Sequence, residues 1–198
     1  MKVLGIFGSP RQGGNSDLLL DKALEGAAGA GAEVTRVYAR ELKIAGCREC
    51  GGCDLTGKCV QDDEMQKVYP LLSGAEAVII ATPIFFYAMP AQLKALIDRA
   101  QAMWSGRALT KPTEQWKNYE SGRGYLIAVG ATKGMDLFEG VELTAKYFFE
   151  ALDKSYEGGI FYRQVEGQGA IQDRLDALDE AWALGAKAAR GERIGPRE

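Results

Sequence analysis

The sequence predicts an α/β protein in which a five-stranded parallel sheet is covered by helices on both faces. Short apolar runs typical of buried strands alternate with amphipathic helical segments along the whole 198-residue chain. A helical pattern or a long connection separates each predicted strand from the next, as parallel β–α–β units require. No internal repeat, low-complexity tract or linker interrupts this alternation. Residues 1–198 are therefore predicted to form one domain.

The individual elements follow from the local pattern of apolar residues. Strands are predicted where short stretches are apolar or alternate in polarity, and helices where apolar residues recur every three or four positions. The acidic residues at 62–64 predict a helix N-terminus, because carboxylates there interact favourably with the helix dipole. The predicted order is strand 3–7, helix 16–29, strand 33–39, helix 62–72, strand 77–81, helix 91–103, strand 125–129, helix 136–153, strand 159–162 and helix 168–190.

Two segments carry further structural expectations. The last helix is predicted to bury one face made of Ile171, Leu175, Leu178 and Trp182. Residues 104–124 show no regular pattern and are long for a plain connection. We expect them to form a surface excursion near a site, because their aromatic side chains are costly to leave in water.

The composition limits the classes of partner. A formal net charge of −3 gives no electrostatic reason to expect binding to nucleic acid or to an anionic membrane. The longest apolar run, at residues 77–81, is far too short to span a bilayer. The N-terminal segment is predicted to be a strand and not a signal peptide, which favours the cytoplasm, where thiols stay reduced. The chain contains no histidine, so His-based triads and His-ligated metals are excluded.

A glycine-rich loop, GSPRQGGNS at residues 8–16, joins the first strand to the first helix. It has neither the lysine of a Walker loop nor the GxGxxG spacing of a dinucleotide fingerprint. Helix N-termini in this position bind anions, because their free N–H groups and the helix dipole favour negative charge. The loop therefore predicts a site for one terminal phosphate, with a plain helix-capping turn as the alternative. The residues concerned are Ser9, Arg11, Gly14, Asn15 and Ser16.

A second loop, TPIFFYAMP at residues 82–90, follows the third strand. In a sheet of order 2-1-3-4-5, the first and third strands flank the crevice in which ligands bind. The apolar, aromatic loop suits a planar heteroaromatic ring, with core or interface packing as the alternative. A phosphate site beside a planar ring site describes flavin mononucleotide (FMN). The residues predicted to frame the ring are Pro83, Ile84, Phe85, Phe86 and Tyr87, with Gly130, Ala131, Thr132 and Gly134 of the loop after the fourth strand.

All four cysteines lie in the segment CRECGGCDLTGKC, with the spacing C-x2-C-x2-C-x5-C. Structural zinc sites usually have two well-separated pairs of ligands, which this spacing does not provide. Bacterial ferredoxins share the first three spacings, and four thiolates from one loop suit a 4Fe–4S cluster. Zinc and unligated thiols stay open as alternatives, and disulfides are the least favoured. The predicted ligands are Cys47, Cys50, Cys53 and Cys59, in an inserted loop at residues 46–61.

These motifs resemble the NADPH-dependent FMN reductase group of flavodoxin-like proteins over most of the chain. The loop GSPRxxGNS and the segment TPIFFYxMPAQLKxLIDR carry the resemblance, and the cysteine run with VQDDEM resembles the iron–sulfur flavoprotein branch. The resemblance implies a flavodoxin-like fold in which residues 83–87 and the Gly130 loop frame the isoalloxazine. A tyrosine common in the family is replaced by Phe85, so its hydroxyl contact is lost or moved to Tyr87. The residues implied to hold the FMN phosphate are Ser9, Arg11, Asn15 and Ser16.

The resemblance implies a flavin-dependent oxidoreductase whose cofactors carry the redox chemistry, so no catalytic side chain is predicted. An iron–sulfur flavoprotein would relay electrons between a carrier such as ferredoxin and small acceptors such as oxygen or peroxide. Two alternatives stay open. One is an NAD(P)H-dependent FMN or quinone reductase with a structural or zinc-binding cysteine loop. The other is a non-enzymatic electron carrier or redox sensor. Proteins of this kind are commonly oligomers, so a homodimer or homotetramer is expected.

Overall fold

A five-stranded parallel sheet of order β2-β1-β3-β4-β5 forms the centre of the structure, a computed structural model that describes residues 1–193. The order and the parallel pairing confirm the predicted fold class. Within the described range, no helix has the length and apolar content needed to cross a membrane. The elements are β1 Lys2–Phe7, α1 Asn15–Gly29, β2 Glu33–Tyr38, α2 Met65–Gly74, β3 Ala77–Pro83, α3 Ala91–Arg99, α4 Gln101–Thr110, β4 Arg123–Val129, α5 Glu139–Ala151, β5 Ser155–Tyr162 and α6 Leu175–Arg190.

Both faces of the sheet are covered by helices. On the central strand β3, Val78 and Ile80 belong to the core that includes residues of α2, α3 and α5. Ala77 and Ile79 point the other way, into the core shared with α1 and α6. A strand buried on both faces must be apolar at successive positions, which explains the continuous apolar run of β3. The more polar β2 lies at the edge of the sheet, as its alternating sequence predicts.

The predicted helix at residues 91–103 is in fact two helices, and the expected excursion at 104–124 is wrong over its first part. The chain turns at Ala100 between α3 and α4, and α4 continues to Thr110. Arg107 anchors α4 by donating to the carbonyl oxygen of Glu150 (2.7 Å) and by pairing with Asp153 (Nε–Oδ1 2.9 Å). Because α4 buries this arginine along with small residues, an apolar pattern does not reveal the helix.

The predicted buried face of the last helix is wrong for two of its four residues. Ile171 is buried but lies in a 3₁₀ turn before α6, and Leu178 packs against the core, while Leu175 and Trp182 are exposed. The helix α6 packs on α1 through small residues instead. A Cβ added to Gly185 would lie 1.6 Å from the carbonyl oxygen of Ala23, so the two backbones approach closely. The prediction relied on the spacing of large apolar residues, so it did not identify a contact made by glycine and alanine.

Candidate functional site

Loops at the carboxyl edge of the sheet enclose a cavity of about 230 Å³. It lies where β1 and β3 end, which is the crevice expected for this strand order. The predicted residues that line it are Ser9, Arg11, Gly14, Asn15, Ser16, Pro83, Ile84, Phe85 and Ala131. The other predicted residues, Phe86, Tyr87, Gly130, Thr132 and Gly134, lie in the same loops but do not line this cavity. The structure thus brings the first, second and third predicted loops together.

One end of this cavity is formed by the N-terminus of α1. Gly14 is the N-cap residue, and no side chain within the described residues caps the helix. The hydroxyl of Ser16 is buried and has no hydrogen-bond partner among residues 1–193. A plain capping turn, the alternative considered above, would use such a hydroxyl to satisfy the helix N–H groups. The loop instead leaves a donor and a helix N-terminus facing the cavity, which suits an anion.

The loop at residues 8–16, which is predicted to bind a phosphate, is held in shape by its own polar groups. The hydroxyl of Ser9 accepts from the N–H of Arg11 (3.1 Å) and donates to the carbonyl oxygen of Arg11 (2.9 Å). Behind the loop, Asp17 accepts from the N–H of Gly13 (3.1 Å) and from Arg40 (2.9 Å). Burial raises the pKa of the Asp17 carboxyl, and the Arg40 charge and the Gly13 N–H only partly oppose that rise. The loop therefore rests on a buried ion pair that fixes the position of α1.

A fourth loop, which the sequence analysis did not identify, closes the cavity after β5. Val165 and Glu166 line the cavity. The side chain of Asn15 connects this loop to the loop at residues 8–16. Its amide N–H donates to the carbonyl oxygen of Gly167 (2.8 Å), and its amide oxygen accepts from the N–H of Ile171 (3.2 Å). Asn15 thus orders this loop. The only signal in the sequence was its position after a strand at the same sheet edge.

The aromatic loop after β3 contains a strained tight turn. Phe85 and Ala88 exchange two backbone hydrogen bonds of 2.9 Å across it. Phe86 and Tyr87, the two central residues, have φ values of 50° and 60°. Such positive φ values usually belong to glycine or asparagine, and in aromatic residues they cost of order 1–3 kcal/mol each. The turn leaves Phe86 fully exposed and brings the hydroxyl of Tyr87 towards Gly134 of the third loop.

The four cysteines line a second cavity, of about 630 Å³, between the cysteine loop and the end of α3. All four are free thiols. The loop lies directly on α4, because Gly57, with φ of 67°, packs so closely that an added Cβ would lie 2.5 Å from the Cα of Gly106. The hydroxyl of Ser105 on α4 lies 3.5 Å from the Sγ of Cys53. This cavity and the cavity at α1 have no lining residue in common.

The cysteines are not arranged around one metal ion. In the described part of the chain, no three side chains of Cys, His, Asp or Glu are placed to hold a single ion. Four zinc thiolates would each lie about 2.3 Å from one centre. The four cysteines line one cavity, but their side chains do not form a ready-made set of ligands among the described residues.

A buried arginine that the sequence analysis missed joins the two ends of the cysteine loop. Arg99 is the last residue of α3 and is 1% exposed. Its guanidinium pairs with Asp63 through its two Nη nitrogens (Nη1–Oδ2 2.6 Å, Nη2–Oδ1 3.1 Å). Burial alone would raise the pKa of Asp63, but the Arg99 guanidinium and the N–H groups of Met65 and Ala45 hold it below its ordinary value. In the sequence, Arg99 looks like an ordinary cation in the last turn of a helix.

The same surroundings act on Cys59. Burial raises the pKa of its thiol, but the N–H of Gln61, the Tyr69 hydroxyl and the positive charge of Arg99 together lower it below its ordinary value. A lowered pKa favours the thiolate, which is the form that ligates metals. Cys59 thus lies in a polar environment formed by Gln61, Tyr69 and Arg99.

Residues 1–136 match the family described as NADPH-dependent FMN reductase. The chain belongs to this family. This match confirms the predicted resemblance to the NADPH-dependent FMN reductase family. In the FMN reductase fold seen here, the match includes β1 to β4 and both predicted ligand loops that follow β1 and β3.

Within the FMN reductase family, the chain is similar to proteins named iron–sulfur flavoprotein, as its sequence predicts. It is 42% identical to one from Archaeoglobus fulgidus over 99 residues, or 50% of this chain and 45% of that protein. It is 41% identical to one from Methanosarcina thermophila over 100 residues, or 50% of this chain and 52% of that protein. A third, from Methanocaldococcus jannaschii, is 32% identical over 133 residues, covering 67% and 64% of the two chains. The chain thus matches about half the length of the first two relatives.

Solved structures show the same fold. An NAD(P)H:quinone oxidoreductase from Methanothermobacter marburgensis superposes with a TM-score of 0.72 at 15% identity, covering 100% of this chain and 99% of that one. A flavodoxin from the domain Archaea superposes with a TM-score of 0.57 at 15% identity, covering 96% and 97%. These likenesses support the flavodoxin-like assignment of the FMN reductase fold.

Proposed function

We propose that this chain is an iron–sulfur flavoprotein that passes electrons between a one-electron carrier such as ferredoxin and a small acceptor. FMN would occupy the cavity at the N-terminus of α1, and a 4Fe–4S cluster would occupy the cavity lined by the four cysteines. The net reaction oxidises two equivalents of the carrier and adds two electrons and two protons to the acceptor. The observation that carries the proposal is the presence of two separate cavities, one at the N-terminus of α1 and one lined by all the cysteines.

The first cavity fits FMN. A phosphate there would accept from the buried Ser16 hydroxyl, which otherwise has no partner among the described residues, and would face the α1 N-terminus. Arg11 lines the mouth and supplies positive charge. Pro83, Ile84 and Phe85 give the apolar wall that a flat ring requires.

The second cavity fits an iron–sulfur cluster better than the alternatives. The spacing of the cysteines lacks the two separated ligand pairs of a structural zinc site, and the relatives named iron–sulfur flavoprotein support a cluster, although the described residues form no ready-made group of metal ligands. The N–H of Glu49 lies 3.4 Å from the Sγ of Cys47, so the backbone already donates to sulfur. Such donors stabilise the negative charge of a cluster. Thiolates of this kind persist in a reducing compartment, which supports a cytoplasmic location.

When bound, FMN exchanges electrons in pairs or singly, and a 4Fe–4S cluster exchanges them singly. The side chains of this chain bind and orient these groups. Ser16 and Arg11 would anchor the phosphate, and Pro83, Ile84 and Phe85 would hold an apolar surface against the ring. The cysteines would hold the cluster on α4. No side chain is required as a nucleophile or general base, in keeping with the sequence analysis.

The experiment that tests this function is the cofactor content of protein purified without oxygen. About four irons and one FMN per chain, with electron transfer from reduced ferredoxin to an acceptor, would support it. One zinc and no iron would contradict it. Steady oxidation of NAD(P)H without ferredoxin would instead favour a simple FMN or quinone reductase, and no turnover with either donor would favour a carrier or sensor.

We also propose that the protein forms a homodimer or homotetramer. Trp104, Leu143 and Tyr147 are exposed apolar side chains on α4 and α5, and Trp104 and Tyr147 line the same groove. Exposed aromatic patches of this kind often mark an interface. Light scattering of the FMN-loaded protein would give the number of chains directly, and a monomer would contradict the proposal.

Replacing Arg11 by alanine is expected to weaken FMN binding about 10-fold to 100-fold. A hydrogen bond to a charged group contributes about 1.5–3 kcal/mol, and each 1.4 kcal/mol is about tenfold in affinity. Lys58→Ala is the control, because Lys58 lies in the cysteine loop and does not line the FMN cavity. FMN titration by fluorescence measures both variants. Equal flavin retention in the two would show that the phosphate loop is misassigned.

Replacing Ser16 by alanine is expected to raise the stability of the FMN-free protein but to weaken its binding of FMN. A buried hydroxyl without a partner costs about 1–3 kcal/mol, so the free energy of unfolding of the FMN-free variant should be about 1 kcal/mol higher than that of the wild type. Loss of the phosphate contact should weaken FMN binding about tenfold. Urea unfolding of the FMN-free protein and FMN titration give the two values.

Ser9→Ala is the matched control for this prediction. Its hydroxyl already has two partners on Arg11, so its removal should lower the stability of the FMN-free protein. If Ser16→Ala also lowered that stability, the Ser16 hydroxyl would have a partner without FMN, and the anion site would lose its main support.

A further inference from the structure

The side chain of Arg99 enters the space between the two ends of the cysteine loop. One nitrogen donates to the carbonyl oxygen of Ala45 (3.0 Å), just before the loop, and the other to that of Gln61 (3.4 Å), at its end. Asp63, its ion-pair partner, accepts in turn from the N–H of Ala45 (3.3 Å). A buried guanidinium thus helps to close the base of the segment that carries all four cysteines, together with the Asp63 carboxylate.

One donor of this guanidinium, the Nε–H, is left over. The Nε of Arg99 is buried and has no hydrogen-bond partner of standard geometry among residues 1–193, while the guanidinium lies close enough to the Cys59 thiol to lower its pKa. Arg99 also lines the cavity that the four cysteines line. A buried N–H of a charged group is costly to leave unpaired, so a sulfur acceptor beside Cys59 would stabilise it.

Arg99 differs from the other charged residues around the cavity. Arg48, Glu49 and Asp54 are exposed, and Asp98 is half-buried and pairs with Lys94 (2.6 Å). Charges in water are screened and act weakly on a bound group, whereas a buried charge acts strongly. Arg99 is thus the buried cation of this cavity wall among the described residues.

We propose that Arg99 is the positioning residue of the cysteine site. Its Nη groups fix the two ends of the loop, and its Nε–H donates to a sulfur of the anionic group that the cysteines hold. This inference rests on the proposed iron–sulfur function. A donor to sulfur stabilises the more negative, reduced state, so Arg99 raises the reduction potential of the bound cluster.

The test uses Arg99→Lys, which keeps the positive charge but removes the Nε–H together with the Nη donors that fix the loop. The reduction midpoint of the cluster is measured by a redox titration followed by electron paramagnetic resonance, on protein with wild-type FMN content. We expect the reduction equilibrium to become about tenfold less favourable, which is a lowering of about 59 mV for one electron. Arg48→Lys, the same change at an exposed residue of the same cavity, should shift the equilibrium less than about threefold.

Asp63→Asn distinguishes the effect of the Arg99 Nε–H from the effect of the contacts that fix the ends of the cysteine loop. It weakens the base of the loop but leaves the Nε–H in place, so iron should be lost faster to a chelator while the midpoint is not lowered. An Arg99→Lys variant that keeps its irons at the wild-type midpoint would overturn the proposal. If Arg99→Lys folds with FMN but holds no iron, retention of iron by Asp63→Asn supports the donor role, and loss by both variants overturns it.

These outcomes are distinct from failure of the proposed function. Wild-type protein without iron would contradict the iron–sulfur function itself. Wild-type protein with iron and an unchanged midpoint in Arg99→Lys would contradict only the role of Arg99.

Discussion

Replacement of Cys59 by alanine is expected to remove most of the iron and leave the FMN in place. A 4Fe–4S cluster needs four ligands, and the chain has only four cysteines and no histidine to substitute for a lost thiolate. The FMN cavity has no lining residue in common with the cysteine cavity, so the flavin content should stay at the wild-type value. Iron and flavin per chain, measured on protein prepared without oxygen, give both quantities.

Thr56→Ala is the control for this prediction. Thr56 lies in the same loop, where its hydroxyl accepts from the N–H of Lys58 (3.2 Å), but it has no thiol. The control should keep its iron, because only a local turn is weakened. Iron in the Cys59 variant equal to that of wild type would exclude Cys59 as a ligand. A variant that lost iron and FMN together would instead show that the loop is needed for the whole fold.

The position of the site could be predicted because it follows from topology. Once the strand order is known, the loops after β1, β3 and β4 must meet at the carboxyl edge of the sheet. The residues that complete the site were not predictable in this way. Val165 reaches the cavity because the loop after β5 is held in place by its own N–H bond to Gly130 and by Asn15, which binds Gly167 from more than 150 positions away.

Arg99 shows a second limit of sequence reasoning. A cation in the last turn of a helix is usually solvated, and the favourable effect of the dipole already explains it. Here the cysteine loop folds over the end of α3 and buries the side chain, and Asp63 neutralises the charge. The burial arises from the path of a loop without regular structure, for which the sequence carries no periodic signal.

The fold was predictable where large apolar residues decide the packing and unpredictable where small ones do. The buried strands β1, β3 and β4 have continuous apolar runs, and all three were predicted at nearly their observed positions. The predicted face of α6 was wrong for two of its four residues, because glycine and alanine make its contact with α1. Two backbones can approach closely only where the side chains between them are small, and a pattern of hydrophobic residues does not identify such positions.

Replacing Gly185 by alanine is expected to destabilise the protein by about 3 kcal/mol, at the upper end of the cost of overpacking. The added Cβ would lie 1.6 Å from the carbonyl oxygen of Ala23, which is backbone and cannot rotate away. The helices α1 and α6 would have to separate, and the core beneath them would lose contacts along its length. For a domain of this size the melting temperature should fall by roughly 6–12 °C.

Gly29→Ala is the matched control, since it makes the same change at the end of α1. Its added Cβ would meet only the ring of Trp182, at 3.6 Å, which is ordinary contact. Alanine is the better helix former, so this variant should be as stable as wild type or more stable by up to about 1 kcal/mol. Equal melting temperatures for the two variants would mean that α1 and α6 lie farther apart than in this structure. A lower melting temperature in Gly185→Ala alone would instead establish that α1 and α6 are in backbone contact on their face of the sheet. That contact is possible because position 185 has no side chain.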